Sequence, residues 1–107
     1  MEIQLNVVAV PSEFRTVVLR DRASVSTKTA FTKHYVAVSR EQEIAFVALD
    51  LSENKDYLCV YELLVDPSYH RRGYGAAIIG KCKDLATQDG FRKICLKPWP
   101  IEANGSS

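Results

Sequence analysis

The sequence predicts an α+β fold built on a mixed, mostly antiparallel sheet, with a crossover helix after the fourth strand. Three observations carry this. Apolar runs at residues 35–38, 44–49 and 57–65 follow one another with only short polar connections, the pattern of an antiparallel meander. Ile78, Ile79, Cys82, Leu85 and Ala86 then recur at helical spacing, and Gly90 stands where a C′ glycine would stop the helix. The run at 93–97 returns the chain to the sheet. A strand–helix–strand crossover makes the last two strands parallel or splayed neighbours.

Taken in order, Ile3, Leu5 and Val7 alternate with Gln4, Asn6 and Val8, a first strand ending by Pro11. Ser12 can cap a short helix through Phe14, Val17 and Val18, with Glu13 in its first turn. The β-branched run Thr16-Val17-Val18 suits a strand nearly as well. Residues 21–33 are rich in Ser, Thr and charge and read as a loop. Strands 35–38 and 44–49 are joined by Ser39-Arg40-Glu41-Gln42-Glu43, which reads as a hairpin with a longer connection. Ser52 to Asp56 is the next polar turn, and residues 57–65 are the fourth strand. Pro67 ends that strand because it has no N–H to donate.

Length and composition narrow the function classes. At 107 residues the chain is a single domain, 1–107, with room for one core. Its net charge of +1 gives no global reason to expect nucleic acid or an anionic membrane surface. The three cysteines, Cys59, Cys82 and Cys95, are odd in number and widely spaced inside apolar patterns. They fit neither a zinc site nor a disulfide framework, and no metal is expected. The N-terminus lacks the basic-then-apolar form of a secretion signal, and no apolar run reaches membrane-spanning length. A reduced, cytoplasmic location is the expectation.

The chemistry concentrates in Val65-Asp66-Pro67-Ser68-Tyr69-His70-Arg71-Arg72-Gly73-Tyr74-Gly75-Ala76. This is a strand end, a short basic turn with two glycines, and a helix start. The first N–H groups of a helix have no intrahelical partner and carry partial positive charge. Gly73 and Gly75 leave no side chain to hold a phosphate away from the backbone, and Arg71 and Arg72 add charge beside it. A tight strand-to-helix turn with solvated arginines is the plain alternative. A competing phosphate-loop reading of Gly75-Ala-Ala-Ile-Ile-Gly80-Lys81-Cys82 fails on chemistry. A thiol replaces the hydroxyl that would ligate Mg²⁺, and the stretch is periodic and apolar like a helix interior.

The stretch from Val65 to Ala76 resembles the acetyl-CoA motif of the GNAT N-acyltransferase superfamily, Val-x-Pro-x-(Tyr/Phe)-(Gln/Arg)-x-x-Gly-x-(Gly/Ala). The likeness extends over residues 58–97, and the departure is His70 where the family has Gln or Arg. The resemblance implies an N-acetyltransferase that uses acetyl-CoA as cosubstrate and a primary amine as acceptor, on a small molecule or a protein. It places the coenzyme pyrophosphate on the backbone of Arg71, Arg72, Gly73, Tyr74, Gly75 and Ala76. It runs the pantetheine arm along Leu63, Leu64 and Val65, with the Val65 N–H as polariser of the thioester carbonyl. Glu62, the acid inside the fourth strand, matches where several members carry a catalytic carboxylate. Glu62 facing solvent or paired with a Lys or Arg is the alternative, and His34 is a second candidate base.

Family members place a coenzyme-contacting Asn near Asn104 and a general-acid Tyr on a helix beyond this strand. None of Tyr57, Tyr61, Tyr69 and Tyr74 stands at that position, and Tyr69 and Tyr74 are expected to pack beside the turn. The family domain continues with a further helix and hairpin, so a short or truncated form is expected. An exposed sheet edge would then allow self-association. Non-catalytic coenzyme binding, or a module completed by a partner, is the alternative function.

Overall fold

The computed structural model describes residues 2–26 and 29–96. The chain runs β1 (Gln4–Val8), a 3₁₀ turn (Pro11–Glu13), α1 (Val17–Val25), β2 (Thr32–Ser39), β3 (Gln42–Leu51) and β4 (Tyr57–Val65). A second 3₁₀ turn (Pro67–Tyr69), α2 (Tyr74–Gln88) and β5 (Lys93–Leu96) follow. The five strands lie in sequence order; β1 to β4 pair antiparallel, and β5 pairs parallel to β4. This is the mixed sheet with a crossover helix after its fourth strand that the sequence predicts.

One helix covers each face. On one side Ile78, Cys82 and Ala86 of α2 pack against Ala45, Val47 and Leu49 of β3 and Leu58 and Val60 of β4. These helical residues are spaced by four, which keeps them on one stripe. On the other side Leu19 and Ala23 of α1, with Phe14, pack against Val36, Phe46 and Ala48. β3 is therefore buried on both faces, which is why residues 44–49 read as a continuous apolar run rather than an alternating one. Phe14 meets Phe46 edge to face at 5.8 Å between ring centroids.

Three elements differ from the sequence reading. α1 continues to Val25, into the stretch read as loop, and starts at Val17 rather than after Ser12. Its outer face is apolar and exposed at Val17, Val18 and Val25, so its periodicity is weak and its charge pattern looks like a loop. The β2–β3 connection is shorter than expected: Ser39 and Gln42 pair directly, leaving Arg40 and Glu41 as a two-residue turn. Both have positive φ, 53° and 66°, as a type I′ turn demands and as strand twist favours. At β1, Leu5 and the preceding Ile3 share one face, as their alternation predicts, and pack on the α2 side, but Val7 is exposed and Val8 is buried on the α1 side. The last residue of the expected fifth strand, Lys97, and Asn104 lie outside the described residues.

Candidate active site

β4 is the strand on which the site is built. Among the described residues it pairs with β5 from Tyr57 to Val60, and its outer edge has no strand partner from Leu63 to Val65. On its inner side it pairs with β3 through Val65, and the Asp66 N–H donates to the Ile44 carbonyl at 2.8 Å. Antiparallel pairing alternates inward and outward backbone groups. Counting from Asp66, the groups of Leu64 and Glu62 turn to β3, and those of Leu63 and Val65 turn outward. The Val65 carbonyl accepts from His70 Nε2 at 2.8 Å, as an outward group would. This leaves the Leu63 N–H and carbonyl and the Val65 N–H along an open edge.

The turn after β4 is held by its own side chains. Asp66 accepts the Ser68 N–H at 2.8 Å, and the Tyr69 hydroxyl donates to Gln42 at 2.6 Å. Tyr69 and Tyr74 stack edge to face at 5.7 Å, and the Arg72 guanidinium lies 6.0 Å from the Tyr69 ring. Both tyrosines thus pack beside the turn. Arg71 and Gly73 take left-handed φ, 63° and 77°, which curls the backbone from Arg71 to Ala76 around the N-terminus of α2. A run of backbone N–H groups curved in this way is an anion-binding concavity. The first helical bond is Ala77 N–H to the Gly73 carbonyl at 3.1 Å, so the N–H groups of Tyr74, Gly75 and Ala76 precede the intrahelical ladder.

Gly73 is required by its positive φ; Gly75 is not. A Cβ built on either meets no protein atom within 4 Å. The fold therefore gives no steric reason for Gly75, and the space beside its Cα is open. The residues fit a pyrophosphate: free N–H groups, a helix N-terminus and two exposed arginines.

Glu62 lies on the other side of β4, and a bulge puts it there. Glu62 pairs with Ala48 and Val60 with Leu49, so Tyr61 is the extra residue. Before the bulge Leu58 and Val60 face α2; after it Leu63 and Val65 do, and Glu62 is turned to the α1 face. There its carboxylate pairs with the Arg22 guanidinium and accepts from Ser26 Oγ at 2.9 Å. The Glu62 side chain is only 11% exposed. Arg22 and Ser26 were missed by the sequence reading. Their spacing of four on one helix face was a usable signal, hidden because 21–33 read as loop. His34 faces the same side, buried, with its ring edge-on to Phe46 at 5.0 Å. His34, Ala48 and Glu62 are direct neighbours across β2, β3 and β4, so both candidate bases share one row of the sheet.

Another carboxylate sequence reasoning missed is Glu43. It accepts the Arg15 N–H at 2.9 Å and the Thr16 N–H at 2.8 Å, fixing the entry to α1 from β3. Burial pushes its carboxyl up, but these backbone donors and the Arg15 charge outweigh it and hold the group below the ordinary carboxylate value. Among the described residues no group of three or more His, Cys, Asp or Glu could hold a metal ion, and no helix is long and apolar enough to cross a membrane.

Known proteins share this fold. A family model described as an acetyltransferase (GNAT) domain matches residues 30–104. Among solved structures the chain resembles a ribosomal-protein-alanine N-acetyltransferase from Brucella melitensis biovar Abortus, with a TM-score of 0.70 at 15% identity, over 97% of this chain and 85% of that one. It also resembles a GNAT family acetyltransferase from Staphylococcus aureus, with a TM-score of 0.65 at 12% identity, over 92% and 88% of the two chains. An aminoglycoside antibiotic 6'-N-acetyltransferase from Acinetobacter baumannii gives 0.63 at 13% identity, over 97% and 84%. No curated protein sequence matches significantly.

Proposed function

The chain belongs to the GNAT acetyltransferase family, and from that premise we propose that it transfers an acetyl group from acetyl-CoA to a primary amine on a small molecule or a protein. The observation that carries the reading is the continuity of one surface. The open β4 edge at Leu63 to Val65 leads directly into the turn and α2 N-terminus at Arg71 to Ala76. An edge with free backbone groups can receive an extended arm by strand addition, and the turn can receive its anionic end. The solved relatives that carry amine acetyltransferase names support the same class of acceptor.

Acetyl-CoA, when bound, supplies an activated thioester carbonyl. The residues of the chain would do the rest. The N–H groups from Arg71 to Ala76 hold pyrophosphate, and Leu63 and Leu64 fix the arm along β4. The Val65 N–H donates to the acyl oxygen, where negative charge develops during transfer. Glu62 takes the proton of the acceptor amine, which attacks only when neutral. Arg22 and Ser26 hold that carboxylate in place from α1. No metal enters the proposed reaction, and a cytoplasmic setting would supply the coenzyme.

The engagement of Glu62 by Arg22 favours a second reading, a non-catalytic coenzyme-binding module or one completed by a partner at a free sheet edge. A thermal shift with acetyl-CoA tests the shared part. At a concentration about a hundredfold above Kd, binding should add about 2.7 kcal/mol of stability. Gly73→Asp, which puts a side chain and a negative charge on a left-handed residue, should show none of it. No shift in the folded wild type would refute both the transferase and the self-sufficient coenzyme-binding module, leaving the partner-completed one. A shift followed by amine-dependent thiol release selects the transferase, and a shift with no release across a broad amine panel selects the module.

A further inference from the structure

The register of β4 on β5 sets two cysteines at facing positions. Cys59 and Cys95 are direct partners across the parallel pair, one rung before pairing ends at Val60 and Leu96. Leu58, Val60 and Ile94 turn to the α2 layer, so by alternation Cys59 and Cys95 both turn to the opposite face. Neighbouring strands stand ~4.8 Å apart, within the Cα separations of about 4.4–6.8 Å that a disulfide spans. Cys95 Sγ lies 3.9 Å from the Leu58 carbonyl oxygen, directed across the gap toward β4. The two differ in access: Cys95 is exposed and Cys59 is 8% exposed. Cys82, on α2 and fully buried, is set apart from them, and burial pushes its thiol up to about 11.

We infer that Cys59 and Cys95 are a dithiol site that reacts with a low-molecular-weight disulfide and closes to an intramolecular disulfide. The Cys95 thiolate attacks one sulfur of the small disulfide RSSR, forming a Cys95–SR bond and releasing RS⁻. The Cys59 thiolate then attacks Cys95 Sγ, forming the Cys59–Cys95 bond and releasing the second RS⁻. Two protein thiols are oxidised and one small disulfide is reduced to two thiols. The cross-link would pin β4 to β5 at the rung where the open edge begins.

The test uses the full chain with oxidised glutathione at neutral pH, quenched by alkylation and read by intact mass and peptide mapping. The wild type should lose two hydrogens, with the Cys59 and Cys95 peptides linked and Cys82 alkylated after denaturation, and dithiothreitol should reverse it. Cys59→Ser should instead accumulate glutathione on Cys95. A stable glutathione adduct on wild-type Cys95 with Cys59 recovered as a thiol would overturn the inference. So would a Cys95-linked dimer or no reaction at all. None of these outcomes depends on acetyl-CoA binding, so the test stands apart from the proposed activity.

Discussion

Glu62 reaches the α1 side of the sheet through one inserted residue. In an unbroken strand it would share the phase of Leu58 and Val60 and be buried under α2; the bulge at Tyr61 reverses the alternation. The carboxylate then meets Arg22 and Ser26 rather than an apolar layer. Glu62→Gln keeps the shape and an acceptor oxygen for Arg22 but removes the proposed base. Under the proposed activity, kcat should fall by about 10²- to 10⁴-fold, the usual worth of a positioned base. Acetyl-CoA affinity by calorimetry should be unchanged, since the proposed coenzyme edge is the outward backbone of Leu63 and Val65. Unchanged turnover in this variant would remove Glu62 from the mechanism. The presence of an acid in the fourth strand was legible from the sequence. Its face was not, because a bulge leaves no mark in an apolar run.

Among the elements, α2 and α1 show what patterning can and cannot reveal. α2 buries Ile78, Cys82 and Ala86 at intervals of four and ends before Gly90, whose φ is +81°, so both its period and its stop are written in residue types. α1 buries only Leu19 and Ala23, has valines outside, and has no capping side chain of its own. Its start is fixed from a distance by Glu43, a contact between residues 28 apart that no local signal records. Because the Glu43 carboxyl is held below the value of about 4.5 it has unfolded, its contribution to stability is present above that pH. It is lost as pH falls through the lower, folded value. Glu43→Gln should therefore be less stable than the wild type at neutral pH, by about 1–2 kcal/mol for a lost charged cap. The gap measured by urea titration should close as pH drops below about 4.5. A gap that stays constant down to acid pH would show that the amide loses shape rather than charge.

Across the whole molecule, the two sides of the sheet divide the work. The buried cluster on the α2 side is almost wholly apolar, Tyr35 carrying its one hydroxyl, and it fixes the helix whose first N–H groups face the proposed pyrophosphate. The α1 side mixes an apolar cluster around Phe46 with the polar row of His34 and Glu62. The order of elements and the turn at Val65 to Ala76 were legible because they depend on residue type and spacing. This division was not, since it follows from register. It leads to a measurable asymmetry between two core truncations. Phe46→Ala should cost about 3–5 kcal/mol and Ile78→Ala about 2–5 kcal/mol, each leaving a cavity under a fully buried side chain. Ile78 stands one turn beyond Tyr74, so its loss loosens the helix end on which the N–H groups are aligned, whereas Phe46 lies on the far side of the sheet. At fixed acetyl-CoA, Phe46→Ala should gain the same stability increment as the wild type, and Ile78→Ala should gain a smaller one. Equal increments in both variants would mean that the turn holds its geometry without the packing beneath it, and that coenzyme affinity is set locally between Asp66 and Ala76.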